Sequence, residues 1–224
     1  MCRGAIACSR CYDRCVRFVE IPSGWSSIVR IVEDAGEREI EELLDLEERN
    51  EIALLRAVRR QRERAASRVA AKSIAIERGF VDLPSRIRFT RSDARPVVLV
   101  DGVEPMLFVS FSHTAGIGAA ALHDAPVGID LEHERVIDPR ATKFFLRDDE
   151  LALAVSSSVE NALLHWWCAK EAAFKLAADY PTLLRVPLAL ESESSAGLVL
   201  RGPHGSRVET VRLGSSLVAA LAIG

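Results

Sequence analysis

Val127-Gly-Ile-Asp-Leu-Glu132 is the stretch that decides how the chain is read. Apolar residues alternate with Gly128, Asp130 and Glu132, which is the period of a strand. Successive side chains on a strand face opposite ways, so Ile129 and Leu131 enter a core while Asp130 and Glu132 share the other face. Two carboxylates about 7 Å apart repel each other unless positive charge lies between them, and a hard divalent cation meets that need. From these residues alone, an amphipathic edge strand with a wet acidic face reads equally well.

Downstream the period changes. Asp148 stands as an N-cap before Glu150-Leu-Ala-Leu-Ala, and Ser157-x-x-Glu160 has capping-box spacing ahead of a helical pattern that reaches Asp179 before Pro181. That second helix carries Trp167-Cys-Ala-Lys170-Glu171-Ala-Ala-Phe174-Lys175. Glu171 and Lys175 lie four apart and share a helix face, where a simple surface ion pair is one reading. Trp167, four residues before Glu171, and Phe174 border that pair with an aromatic stripe, which points to partial burial. Strands at Leu188–Leu190, Leu198–Leu200, Val208–Leu213 and Leu217–Ile223 close the chain.

Upstream, the strand pattern continues back through Ile117–Leu122, Met106–Ser112, Val97–Val100 and Ile87–Thr90, with Asp101-Gly102 and two X-Pro dipeptides as turns. Between Gly36 and Gly79 there is neither Gly nor Pro, and strong helix formers dominate. A single helix of that length is unusual, so two or three are expected, with breaks near Asp45 and Arg59. Glu37 to Glu51 is acidic, while Arg56, Arg59, Arg60, Arg62, Arg64 and Arg68 form a basic run, read as a solvated helix face or a phosphate site. Val16 to Ile21 reads as a short strand ended by Pro22.

Gly116-Ile-Gly-Ala-Ala-Ala-Leu122 echoes Ser216-Leu-Val-Ala-Ala-Leu-Ala-Ile223, and each ends a helix-then-strands block. The echo suggests two similar α+β halves, residues 16–124 and 125–224, behind a cysteine-rich start at 1–15. Four of the five cysteines (Cys2, Cys8, Cys11, Cys15) crowd into that start. Cys8-x-x-Cys11 has the spacing of half a zinc site, but no second Cys or His pair follows, so a reduced, loosely ordered extension is expected. Cys168 sits in a helical pattern beside two Trp and is expected in the core.

The chain has 224 residues, 29 Lys+Arg against 32 Asp+Glu for a net charge of −3, 49% hydrophobic and 27% charged residues. This is ordinary globular usage and excludes collagen, a disordered tail and a supercharged nucleic-acid binder. The apolar run Leu217–Ile223 falls far short of a membrane span, which needs about 20 residues. The first residues hold no apolar core for a secretory signal, so a cytoplasmic protein is expected.

Ser110-Phe-Ser112-His113-Thr114-Ala-Gly116 is the remaining constellation. Adjacent Ser112 and His113 face opposite ways on a strand and make no catalytic dyad, and the nucleophile-elbow spacing of hydrolases is absent. Gly116-x-Gly118-x-x-Ala121 is not a dinucleotide fingerprint, because Pro126 follows where that motif must open a long helix.

Taken together, Ser112-His113-Thr114, Val127–Glu132 and Trp167–Lys175 resemble, in order and separation, the three signatures of the 4′-phosphopantetheinyl transferases. Arg62 to Gly79, Ile87-Arg-Phe89 and Ala94-Arg95-Pro96 resemble the first half of its surfactin-type (Sfp-type) branch. That resemblance implies a pseudo-dimer of two α+β halves in one chain, with the active site between them. It implies Mg²⁺-dependent transfer of 4′-phosphopantetheine from coenzyme A to a serine of an acyl or peptidyl carrier protein, releasing adenosine 3′,5′-bisphosphate. By it, Asp130, Glu132 and Glu171 hold Mg²⁺, Glu171 is the base and Lys175 stabilises or protonates the leaving phosphate. His113, Ser112 and Lys170 contact the coenzyme's phosphates, and Arg64 and Arg95 its adenosine end.

There are departures. Ala94-Arg95-Pro96 stands where the family has Gly-Lys-Pro, and Ser110 where it often has Asn. Glu47, Glu48 and Glu51 fall where some members carry basic residues, which leaves the 3′-phosphate's partners open. The resemblance covers Val16 to Gly224. A monomer is expected, because an internally paired chain has no need to dimerise. The competing readings are a catalytically idle module that binds coenzyme A or a carrier domain, and a nucleic-acid contact through the Arg-rich helix. The acidic balance and the scarcity of aromatics beside those arginines weigh against the second.

Overall fold

The computed structural model describes residues 17–92, 95–177 and 179–224. Cys2, Cys8, Cys11, Cys15, Val16 and Ala94 lie outside the described residues, so the expectations placed on them have no structural counterpart. Strands β1 (Arg17–Phe18), β2 (Val29–Asp34), β5 (Phe108–Thr114) and β6 (Ile117–His123) form one sheet in the order β1-β2-β6-β5. Strands β7 (Val127–His133), β8 (Ala189–Ser194), β9 (Gly197–Arg201), β10 (Arg207–Leu213) and β11 (Leu217–Ile223) form a second, in the order β7-β11-β10-β9-β8. A separate hairpin pairs β3 (Ile87–Ser92) with β4 (Arg95–Val100). The helices are α1 (Glu37–Leu43), α2 (Leu46–Ala53), α3 (Val58–Glu77), α4 (Asp148–Ser156) and α5 (Ala162–Leu176).

Each sheet has a helix on one face and the other sheet on the opposite face. Along β7, Val127, Ile129 and Leu131 join Ile31 of β2, Ala119 and Ala121 of β6, and Ala219 and Leu221 of β11 in a core shared by both sheets. The intervening residues of β11, Val218, Ala220 and Ala222, pack instead against Ala169, Ala172 and Ala173 of α5. Likewise Ala120 and Leu122 of β6 pack under Ala66, Val69 and Ala70 of α3. Every strand crossing the centre is therefore buried on both faces, which is why small and β-branched residues fill it.

The largest difference from the sequence reading is β2, a central strand that was not expected. Ile28-Val29-Arg30-Ile31-Val32 is a β-branched run with one polar residue, and burial of Val29, Ile31 and Val32 on both faces removes the alternation that marks a strand. The expected strand from Val16 to Ile21 shrinks to Arg17–Phe18, followed by a turn in which Trp25 N–H donates to the Pro22 carbonyl. The Gly36–Gly79 stretch does divide into three helices. The first break falls at Leu44-Asp45, where Asp45 caps α2 and Glu48 returns to the Asp45 N–H. The second falls at residues 54–57, just ahead of Arg59.

Ser157-x-x-Glu160 caps nothing. Ser157 and Ser158 donate to Glu193, Glu160 accepts from Arg212, and α5 begins only after Asn161, which holds a left-handed conformation at φ 56°. Helix α5 then stops at Leu176, short of Asp179. Asp148 is the first residue of α4, and the cap preceding it is Arg147, whose N–H donates to Glu150.

Two lysines with no exposed surface fasten the helices. Lys72 of α3 donates to Glu48 at 2.5 Å and to the Pro84 carbonyl at 3.0 Å. Lys170 of α5 donates to Glu150 at 2.7 Å and to the Val186 carbonyl at 2.5 Å. In each case the acceptor is the glutamate that also caps the preceding helix.

His165 of α5 is buried against Thr210 of β10, with Nδ1 2.8 Å from its hydroxyl. Burial, aided by Arg212, pushes its pKa down to about 4. The unfolded chain then binds the extra proton between about pH 6.5 and 4, so this group's contribution is complete above pH 6.5 and is lost as pH falls through that window. Its full size is about 3 kcal/mol. Denaturant titrations between pH 7 and 4 should show a steeper loss of stability for the wild type than for His165→Gln. Equal losses would mean that other groups govern this limb.

Candidate active site

β5 and β7 are the facing edges of the two sheets and run parallel without backbone pairing. Side-chain hydroxyls join them instead. Ser110 Oγ accepts from Ile129 N–H at 3.0 Å, Ser112 Oγ from Leu131 N–H at 3.1 Å, and Thr114 Oγ1 from His133 N–H at 3.2 Å. The three hydroxyl residues alternate along β5 and so share the face that meets β7. Ser112 also donates to Asp130 Oδ1 at 2.9 Å, which fixes that carboxylate at the seam.

Helix α5 supplies the opposite wall. It lies so close to β7 that a Cβ on Gly128 would stand 1.9 Å from the Ala172 carbonyl oxygen. Only glycine permits that approach. One turn further along α5, Lys175 reaches down to donate to Asp130 Oδ1 at 2.7 Å and to the Ile129 carbonyl at 3.0 Å. Lys175 thus pairs with Asp130 rather than with Glu171. Asp130 is 5% exposed, and its second oxygen, Oδ2, is buried with no partner among the described residues.

Glu132 accepts from the Trp167 indole N–H at 3.0 Å, and the Arg135 guanidinium lies 3.6 Å away. Trp167 is itself held edge-on against the fully buried Phe145, with ring centroids 5.0 Å apart. Glu171 lines the same space. Burial, then the neighbouring Asp130 and Glu132 carboxylates, raise its pKa above the ordinary carboxylate value, with Lys175 opposing. Asp130, Glu132 and Glu171 offer hard oxygen donors with mutual repulsion to neutralise, which fits a divalent cation. Among the described residues no group of three or more His, Cys, Asp or Glu side chains is gathered into a ready metal cage. Part of this carboxylate charge is instead met by Lys175 on Asp130 and by Trp167 and Arg135 on Glu132.

These groups open into a cleft of about 870 Å³ whose far wall is cationic, formed by Arg60, Arg64 and Arg68 of α3 with Arg91 and Arg95 of the β3–β4 hairpin. Arg60, Arg64 and Arg68 lie four residues apart on one helix face. That spacing was the available signal for singling them out of the basic run. His113 sits between the walls, with Nε2 3.1 Å from Arg60 Nη1. Glu63, which sequence reasoning passed over, anchors this corner. Only 1% exposed, it pairs with Arg59 at 3.4 Å and Arg60 at 3.2 Å and accepts from the Gly116 N–H at 3.1 Å.

The cleft therefore brings together Asp130, Glu132, Glu171, Lys175, Ser112, His113, Arg64 and Arg95. Lys170, expected to contact the coenzyme, is the exception. It is sealed in the core with Glu150 and Val186 and does not line the cleft. Cys168 is buried, as its helical neighbours require, and donates weakly to the Val218 carbonyl.

Residues 126–197 match the family model of the 4′-phosphopantetheinyl transferase superfamily. The matched stretch runs from the residue before β7 into the start of β9 and takes in Asp130, Glu132, Glu171 and Lys175. That family is described by phosphopantetheinyl transfer, and its model covers 72 of the chain's 224 residues. A serine hydroxymethyltransferase of Leifsonia xyli subsp. xyli is 37% identical over an alignment of 90 residues that covers 36% of this chain and 21% of that protein. The chain thus spans about a fifth of the length of that curated relative. No helix among the described residues is long and apolar enough to cross a membrane.

Removing one hydroxyl from the seam should leave a buried β7 N–H unmatched, at a cost of about 1–3 kcal/mol. Ser110→Ala is therefore expected to lower unfolding free energy by that amount in urea titrations. A change under about 0.5 kcal/mol would show that the β5–β7 joint does not depend on this bond.

Proposed function

We propose that this chain is a 4′-phosphopantetheinyl transferase of the surfactin-type branch. It moves 4′-phosphopantetheine from coenzyme A to a serine of an apo acyl or peptidyl carrier protein and releases adenosine 3′,5′-bisphosphate. The observation that carries the reading is Asp130: a buried carboxylate with an orphaned oxygen, flanked by Glu132, Glu171 and Lys175, facing a wall of arginines across one cleft. An orphaned buried carboxylate oxygen is expensive, and a cation arriving with a diphosphate would satisfy it.

Asp130, Glu132 and Glu171 would hold Mg²⁺, which when bound neutralises charge on the diphosphate. Glu171, directly or through a water, takes the proton from the carrier serine hydroxyl. The serine oxygen bonds to the phosphorus bearing the pantetheine arm, and the phosphoanhydride bond to the adenosine moiety breaks. Lys175 donates to the departing phosphate, while Ser112 keeps Asp130 in place. His113, Arg64 and Arg95 bind the coenzyme's anionic groups. The chemistry needs positioning and charge neutralisation more than covalent help.

The pseudo-dimer belongs to the same proposal. Supporting it are the two helix-covered sheets and the repeated lysine fasteners, Lys72 with Glu48 and Lys170 with Glu150. Where α5 pairs Lys175 with Asp130 of β7, α3 pairs Glu77 with Arg30 of β2, the same bridge with its polarity inverted. In this reading only the second half keeps the carboxylates, so the chain has one site.

The test is intact-protein mass of a panel of apo carrier proteins incubated with coenzyme A, Mg²⁺ and this protein. A gain of one phosphopantetheine on any carrier is expected, and loss of that gain in Asp130→Ala and Glu132→Ala variants that stay folded. No gain on any carrier beside a working control enzyme would instead favour the idle binding module. Full activity in either variant would remove that carboxylate from the site.

A further inference from the structure

Glu63 of α3 is 1% exposed, although Arg59, Arg60 and His113 around it are exposed. Its Oε1 accepts from the Gly116 N–H at 3.1 Å and lies 3.4 Å from Arg59 Nε. Its Oε2 lies 3.2 Å from Arg60 Nη1 and 3.9 Å from His113 Nδ1. The same Arg60 nitrogen stands 3.3 Å from His113 Nδ1 and 3.1 Å from Nε2. A nitrogen that near both ring nitrogens lies across the face of the imidazole, because Cε1–H fills the in-plane position between them. One carboxylate thus reaches the hairpin turn after β5, the guanidinium over the ring and the ring itself.

Folding does not call for that charge. A Cβ on Gly118 would stand 2.3 Å from the Ser67 nitrogen, so α3 and β6 already touch at the backbone. Ala66, Val69 and Ala70 pack on Ala120 and Leu122 beneath them. Ala115 and Gly116 hold φ of 49° and 90°, the left-handed pair of a two-residue hairpin turn. An amide would accept the Gly116 N–H as well as a carboxylate does. A buried ion pair returns little net stability for the desolvation of its charges. What a charge does here that an amide cannot is draw Arg60 over His113 and hold both.

We infer that Glu63 is a positioning residue that aims His113 into the cleft, with Arg60 as its clamp. Arg60 and His113 line the cleft, whereas Glu63 does not. Exposed side chains lose freedom when they grip a ligand, and a group fixed beforehand loses less. That the ligand is coenzyme A rests on the transferase reading. The sign of the effect sets positioning apart from plain electrostatics. A negative charge beside an anion-binding group repels the anion, so its removal alone tightens binding. Removal of a positioning residue weakens it.

Glu63→Gln keeps the acceptor for Gly116 and removes the charge, while Glu63→Asp keeps the charge and shortens the reach by one methylene. In calorimetric titrations each variant should bind coenzyme A at least about fivefold more weakly than the wild type. In a His113→Gln background the same substitutions should change affinity by less than about twofold. Tighter or unchanged binding in the variants overturns the inference. So does weakening that persists in full without His113, which marks a residue that only supports the fold. If one variant does not fold, the other decides; if neither folds, Glu63 is structural and the positioning role falls.

If the wild type does not bind coenzyme A, the transferase reading fails, and the free protein decides the positioning role separately. Nuclear Overhauser contacts between the His113 ring and the Arg60 side chain should be present in the wild type and lost in Glu63→Gln. Their absence from the wild type, or their survival in the variant, overturns it.

Discussion

The architecture depends on how two sheet edges meet without pairing their backbones. β5 and β7 each have one free edge, and a free edge leaves N–H groups that are costly to bury unmatched. Extending the ladder would merge the two sheets into one and carry β7 away from β5's side chains. Ser110, Ser112 and Thr114 supply the acceptors from side chains instead. Hydroxyls serve well because each can accept from the neighbouring strand and still donate elsewhere. Ser112 uses that second capacity on Asp130, so the bond that closes the seam also orients the carboxylate at its mouth.

A buried carboxylate tolerates this position only because α5 delivers a cation to it. The depth of α5 is set by Gly128 under Ala172, and that depth lets Lys175 bond both Asp130 and the Ile129 carbonyl. Lys170, five residues earlier and on another side of the helix, is withdrawn into the core with Glu150, which pins α5 to α4 and to the segment ending at Val186. One helix therefore uses two lysines for different ends, one to hold it in place and one to face the cleft. A buried ion pair contributes little net stability by itself, but removing either partner strands a charge, so each pair fixes one arrangement of its helix.

The elements that sequence made legible are those with a polar interruption or a hard stop. β7 was visible because Asp130 and Glu132 interrupt its apolar residues, and the α1–α2 break because Asp45 and Glu48 form a capping box. β2 was hidden because burial on both faces leaves no alternation to see. The Ser157-x-x-Glu160 pattern misled because tertiary partners, Glu193 and Arg212, outcompeted the local cap. In the site, the residues at short spacing on β7 and α5 were readable. Glu63 and Arg91 were not, since what brings them to the cleft is the packing of α3 and the β3–β4 hairpin against β5. Lys170 and Lys175 are both lysines on one helix, and only the partners each finds across the fold separate them.

Overall charge says little about what such a protein binds. At net −3 the chain would weakly repel a polyanion at long range, and physiological salt screens that repulsion within about 8 Å. Inside the cleft the charges are sorted by wall: arginines from α3 and the hairpin on one side, carboxylates from β7 and α5 on the other. Neither wall suits a polyanion alone. The carboxylate wall repels it unless a cation bridges the two, and the arginine wall offers no group to activate a nucleophile. In the transferase reading proposed above, a diphosphate carrying a divalent cation would meet both walls at once. The seam between the sheets brings arginines and carboxylates to line one cleft.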